Sequence, residues 1–140
     1  MIRHLGASPP RALAASLLLS GALVGTAFAQ TPLSATLSGP GNGNGTASVT
    51  VDPGASTVCY ELTVTLDPPA SAAHIHRGEA GANGPVVVPF ETPASGSSSG
   101  CVEGVDAALV SDILANPAGF YVNVHNSAFP GGAIRGQLSQ

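Results

Sequence analysis

The chain has 140 residues, with four Lys or Arg against eight Asp or Glu and a formal net charge of −4. That length accommodates one domain beyond a leader. So few cations exclude nucleic acid, which is bound by displacing counterions with Lys and Arg, and argue equally against anionic membrane surfaces. Trp is absent and aromatics make up 4%, so the core must rest on Val, Leu, Ile and Ala.

The first residues carry clustered positive charge at Arg3, His4 and Arg11, followed by an apolar run from Ala12 to Val24 and the small-x-small pattern Ala27-Phe28-Ala29. Charged start, short apolar stretch and A-x-A site together spell a cleavable secretory signal over residues 1–29. A membrane anchor is the alternative reading, but the run is short for spanning and no second hydrophobic stretch follows. Cleavage after Ala29 leaves a single β domain over residues 30–140, exported to a periplasm or to the exterior. Within it there is no Lys, and Arg77 and Arg135 are the only strong cations.

Beyond Thr31 the chain is cut into short segments by Gly, Pro, Ser and Asn. Leu33–Ser38 reads as a strand, Gly39–Gly45 as a turn, and Thr46–Val51 as a strand whose Ala47, Val49 and Val51 share a face. Asp52-Pro53-Gly54 turns the chain into Thr57–Leu66, the clearest alternation in the sequence. Its Val58, Tyr60, Leu62, Val64 and Leu66 face one way and its Cys59, Glu61, Thr63 and Thr65 the other. Pro68-Pro69 breaks the pattern before Ala72–Arg77, and Gly78–Pro85 forms a loop before the short strand Val86–Val88. Thr92–Ser99 reads as a Ser/Gly loop leading to a short segment at Cys101. Asp106 is placed as an N-cap for a helix over Ala107–Ala115, with a Leu109, Val110, Ile113, Leu114 stripe, stopped by Asn116-Pro117. Phe120–His125 and Ala133–Leu138 are the last strands, separated by the Pro130-Gly131-Gly132 turn.

Many short strands joined by tight turns, with one helix, predict an all-β fold: an antiparallel Greek-key sandwich or barrel of seven or eight strands and a crossover helix. The expected core is Val49, Val51, Tyr60, Leu62, Val64, Val88, Leu109, Ile113, Val122, Val124 and Ile134. Cys59 and Cys101 are the only two cysteines. In an oxidising compartment they read as one disulfide, worth about 4 kcal/mol in the chain-entropy treatment of a long loop. The alternative is two free thiols available to a metal.

Chemistry concentrates at three histidines. His74 and His76 lie two apart on one strand, so both imidazoles point to the same side. His125 ends the late strand, on the face of Tyr121 and Asn123. If the two strands are neighbours, three imidazoles converge into a ligand set suited to copper, with zinc ranked below it. Glu79 is placed as an oxygen ligand or ring-orienting partner, and Arg135 as a residue that closes the site or pairs with a carboxylate. Asn123, flanked by Val122 and Val124, is placed at the site's edge with its amide satisfying backbone groups. The bland alternative is that the histidines hydrogen-bond loop carbonyls. No G-x-S-x-G, phosphate loop, C-x-x-C or H-E-x-x-H occurs, and no catalytic residue is nominated.

Two long motifs then resemble one family. Ala73-His74-Ile75-His76-Arg77-Gly78-Glu79-Ala80-Gly81-Ala82-Asn83-Gly84-Pro85-Val86 is similar to the signature of the CHRD domain, named from chordin. So, in the right order, are Tyr121-Val122-Asn123-Val124-His125 and Phe129-Pro130-Gly131-Gly132-Ala133-Ile134-Arg135-Gly136-Gln137-Leu138. Leu37-Ser38-Gly39 resembles the domain's opening. Ala133 departs from the family pattern, which commonly has an acidic residue there. The resemblance implies an exported module of unassigned activity and, through chordin, a setting of extracellular protein partners.

The order His74, His76, His125, Arg135 also resembles the copper site of copper/zinc superoxide dismutases. That likeness implies that the three histidines bind copper and that Arg135 faces its open position. The bridging histidine and zinc-ligand loop of those enzymes have no counterpart here. Three functions follow as expectations: a copper-binding module, a dismutase-like copper redox enzyme, or a metal-free structural module that binds extracellular protein or glycan.

Overall fold

The computed structural model describes residues 16, 20–22 and 28–140. Most of the leader expected over residues 1–29 therefore lies outside the described residues. The strands are β1 (Thr31–Ser38), β2 (Asn44–Asp52), β3 (Thr57–Thr65), β4 (Ala70–Arg77), β5 (Val86–Phe90), β6 (Ser97–Val102), β7 (Phe120–Asn126) and β8 (Ile134–Gln137). One helix, α1 (Ala107–Ala115), and a 3-10 turn (Pro117–Gly119) precede β7.

All eight strands form one sheet in the order β5-β4-β7-β8-β1-β2-β3-β6, with every pairing antiparallel. Twist accumulated over eight strands curls such a sheet on itself, and the result is a nearly closed barrel. Its edges, β5 and β6, share no ladder; side chains of β3 and β6 reach the end of β5 instead. The Tyr60 and Phe90 rings stack with centroids 4.0 Å apart. The Glu91 N–H donates to the Tyr60 hydroxyl at 2.7 Å, and the Ser98 hydroxyl donates to the Glu91 carbonyl at 2.7 Å. This contact covers edges that would otherwise present unpaired backbone to other chains.

The alternation read in β3 holds: Val58, Tyr60, Leu62 and Val64 are buried and their neighbours face outward. Every expected core residue is buried except Leu109, which packs against the core only partly covered. Val110 and Ile113 point into the core from the helix instead. The N-cap is as read: the Asp106 carboxylate accepts from the Ala108 and Leu109 N–H groups at 2.7 and 3.4 Å.

Two expectations are corrected. Ser97–Ser99 belong to β6 and are not loop. Their intrinsic preference is overridden by pairing with β3, where Ser97 lies opposite Thr63 and Cys101 opposite Cys59. Strand β5 runs on through Pro89 to Phe90, which an edge strand tolerates because its outward N–H positions need no partner. Cys59 and Cys101 form the disulfide, bridging β3 and β6 at directly opposed positions.

Candidate metal centre

Strand β7 is the only strand among those described in which six of seven residues are buried, on both faces. Its inner face, Val122 and Val124, belongs to the core. Its outer face carries Tyr121, Asn123 and His125, and the register sets His76 beside Tyr121, His74 beside Asn123, and Ala72 beside His125. The three histidines thus occupy neighbouring outer-face positions on two paired strands, where side chains are within reach directly and diagonally. One ligand nitrogen from each of His74, His76 and His125 lies within 4.8 Å of the others.

Two of these rings are held in a defined protonation pattern. His76 Nδ1 lies 2.8 Å from the Gly84 carbonyl, and His125 Nδ1 lies 2.8 Å from the Pro130 carbonyl. A carbonyl only accepts, so each Nδ1 carries a proton, and in the neutral ring each Nε2 presents a lone pair. His76 Nε2 is buried and has no hydrogen-bond partner. A buried lone pair without a partner is costly, and a metal ion is the acceptor's natural complement. His125 Nε2 faces His74 Nδ1 at 3.3 Å. Without a metal, His74 Nδ1–H donates to it. As a metal ligand, His74 would offer one unprotonated ring nitrogen and carry its proton on the other. Burial, and after it the neighbouring His125 and His76, hold the His74 imidazolium below the usual histidine range. The shift favours the neutral ring, the form that ligation requires.

The donor set fits a borderline or nitrogen-preferring transition metal. Three imidazoles suit copper or zinc, and no carboxylate among the described residues joins the group. Carbonyl-fixed imidazoles are the arrangement by which metal sites set ligand tautomer and orientation.

The other expected site residues are placed differently. Glu79 is exposed and lies with Arg77, Asp112 and Phe120 around a cleft of about 400 Å³ on the helix side of the fold. It does not join the histidine group; it lies past the end of β4, where the Gly78 N–H donates to the Gly119 carbonyl. Asn123 is buried, donates to the Gly131 carbonyl at 3.3 Å, and leaves its Oδ1 without a partner. Arg135 donates to the Ala82 carbonyl at 2.6 Å and to Asn83 Oδ1 at 3.2 Å. Its guanidinium lies 3.6 Å from the centroid of the Tyr121 ring. His76 stacks on the same ring at 4.9 Å and 12°. Since β7 runs between β4 and β8, Tyr121 stands between the histidine and the arginine.

Sequence reasoning missed the supporting cast. Tyr121 and Gln137 both fall inside the two family motifs, but nothing in the sequence marks what either side chain does. Gln137 Nε2 donates to the Gly78 and Ala118 carbonyls at 3.0 and 2.7 Å, tying down the start of the 78–85 loop. The Gly84 and Pro130 carbonyls are backbone groups that no residue letter advertises, although the Gly- and Pro-rich motifs around them mark the loops.

The profile of the CHRD domain matches residues 24–138. The chain belongs to the CHRD domain family. Both sequence motifs that suggested the family form the outer-face site: the first supplies β4 and the 78–85 loop, the second β7, the 129–132 turn and β8. No curated protein and no solved structure matches this CHRD chain. No helix among the described residues is long and apolar enough to cross a membrane.

Proposed function

We propose that this CHRD chain is an exported metal-binding module that holds one transition-metal ion, copper before zinc, on His74, His76 and His125. The observation that carries the reading is the buried, partnerless Nε2 of His76, one of three imidazole nitrogens within 4.8 Å of one another. Copper is favoured over zinc by the affinity order for nitrogen ligands. Export rests on the leader-like residues 1–29 and is supported by the Cys59–Cys101 disulfide.

The test is a titration of the metal-stripped protein with copper, read by calorimetry and Cu(II) spin resonance. One-to-one binding with nitrogen hyperfine structure, lost in His76→Ala, supports the reading. Affinity unchanged by that substitution rejects it.

A metal-free structural role, with partners among extracellular proteins or glycans, is the second reading. The bonds from His76 to Gly84 and from His125 to Pro130 favour it, because they are also what loop anchors would make. A ligand that binds only the folded state raises its stability, so a melting temperature unmoved by copper would select this second reading. Dismutase-like turnover gains no support from Arg135, whose guanidinium is engaged by Ala82, Asn83 and the Tyr121 ring.

A further inference from the structure

The segment between β4 and β5 is fastened at several points that converge on one residue, Gly84. Gly84 uses both of its backbone polar groups toward the site: its carbonyl accepts from His76 Nδ1 at 2.8 Å, and its N–H donates to the Tyr121 hydroxyl at 3.1 Å. The segment passes so close to β4 that a Cβ on Gly84 would overlap the Arg77 carbonyl, so only glycine allows this approach. The two residues before it, Ala82 and Asn83, are gripped by Arg135. Arg135 reaches His76 by a second route as well, through the Tyr121 ring that both side chains flank.

From this we infer that Arg135 is a positioning residue for His76: it clamps the 82–84 segment so that the Gly84 carbonyl fixes the Nδ1–H tautomer and leaves Nε2 as the ligand atom. The inference rests on the proposed metal site for its purpose, but the clamp itself exists without a metal. The planar guanidinium is suited to the task. It donates in two directions from one rigid fork while its face stacks on an aromatic ring, which a lysine ammonium cannot reproduce. Groups that orient a ligand through its second nitrogen typically contribute about 10–100-fold to metal affinity.

The experiment compares the metal-stripped protein with Arg135→Gln, Arg135→Lys and Asn83→Ala, after circular dichroism confirms that each is folded. Long-range nitrogen–proton correlation spectra of the imidazoles report the His76 tautomer, and copper titration reports affinity. The expected result is a pure Nδ1–H tautomer at His76 in the parent and a mixture in Arg135→Gln, with copper affinity down about 10–100-fold. Arg135→Lys falls between the two. Asn83→Ala, which removes one arm of the grip and no part of the sheet, shifts the tautomer in the same direction. A folded Arg135→Gln with an unchanged tautomer overturns the inference, and so does a folded Asn83→Ala with one should Arg135→Gln not fold. A parent that binds no copper defeats the proposed function instead, while the tautomer spectra still decide the clamp.

Discussion

His74 Nδ1 and His125 Nε2 face each other at 3.3 Å across the paired strands β4 and β7. Because His125 already donates from Nδ1 to Pro130, the proton between the two rings belongs to His74. An additional proton on His74 Nε2 leaves this contact in place but puts a positive charge on a part-buried ring beside two other imidazoles. This gives the site a defined response to acid.

His74 has a folded-state pKa below that of an unfolded histidine, which lies at about 6.5. The unfolded chain therefore binds the proton first as pH falls. The stability contribution is complete above the unfolded value and is lost progressively as pH drops from there through the lower folded value. Urea unfolding between pH 8 and 5 should show this loss in the parent and a shallower one in His74→Gln. Equal slopes for the two proteins would show that His74 does not drive the response.

The disulfide joins β3 to β6, halfway round the barrel from β7. Replacing both Cys59 and Cys101 by Ser should lower stability by up to about 4 kcal/mol, the chain-entropy value for a loop of this length. Copper spin-resonance parameters should not change. Altered parameters in the folded double variant would show that the bridge is coupled to the histidines.

Asp106→Ala removes the acceptor for two N–H groups at the start of α1 and should cost about 1 kcal/mol. Ile113→Ala opens a cavity at a fully buried position and should cost about 2–5 kcal/mol. Equilibrium denaturation measures both, and the reverse ranking would contradict the placement of the helix against the core.

Gly132 has φ +135°, and a Cβ there would collide with the Asn123 amide. Gly132→Ala should therefore destabilise the protein by more than about 1 kcal/mol. It should also disturb the 129–132 turn and with it the Pro130 acceptor, which the His125 imidazole nitrogen shifts would register. Unchanged shifts would mean that the turn absorbs the added methyl group.

The strands with a strict two-residue alternation, β2 and β3, were legible from the sequence because one face is core and the other solvent. The helix was legible from its cap and its apolar spacing, although the structure turns it so that Val110 and Ile113 enter the core and Leu109 sits at the rim. Strand β6 was not fully legible: Ser97, Ser98 and Ser99 are strand only because β3 offers a partner and Cys59 a covalent tie. At the site, the two-residue spacing put His74 and His76 on one face, but their meeting with His125 depended on β4 and β7 being neighbours, which the spacing does not dictate. What orients them was hidden, since the acceptors on His76 and His125 are main-chain carbonyls. Proximity in sequence misled for Glu79, which lies past the end of β4 and lines the cleft on the helix side.

The three imidazoles are supplied by two strands between which the chain builds β5, β6 and α1. A slip of one residue between β4 and β7 would turn each slipped strand's histidines from the outer face into the core. The nitrogen cluster consequently exists only after that long excursion is complete and the strands have met in one alignment. Metal capture would then be a late event, taking place on a finished barrel, and a bound ion would certify that the alignment is correct.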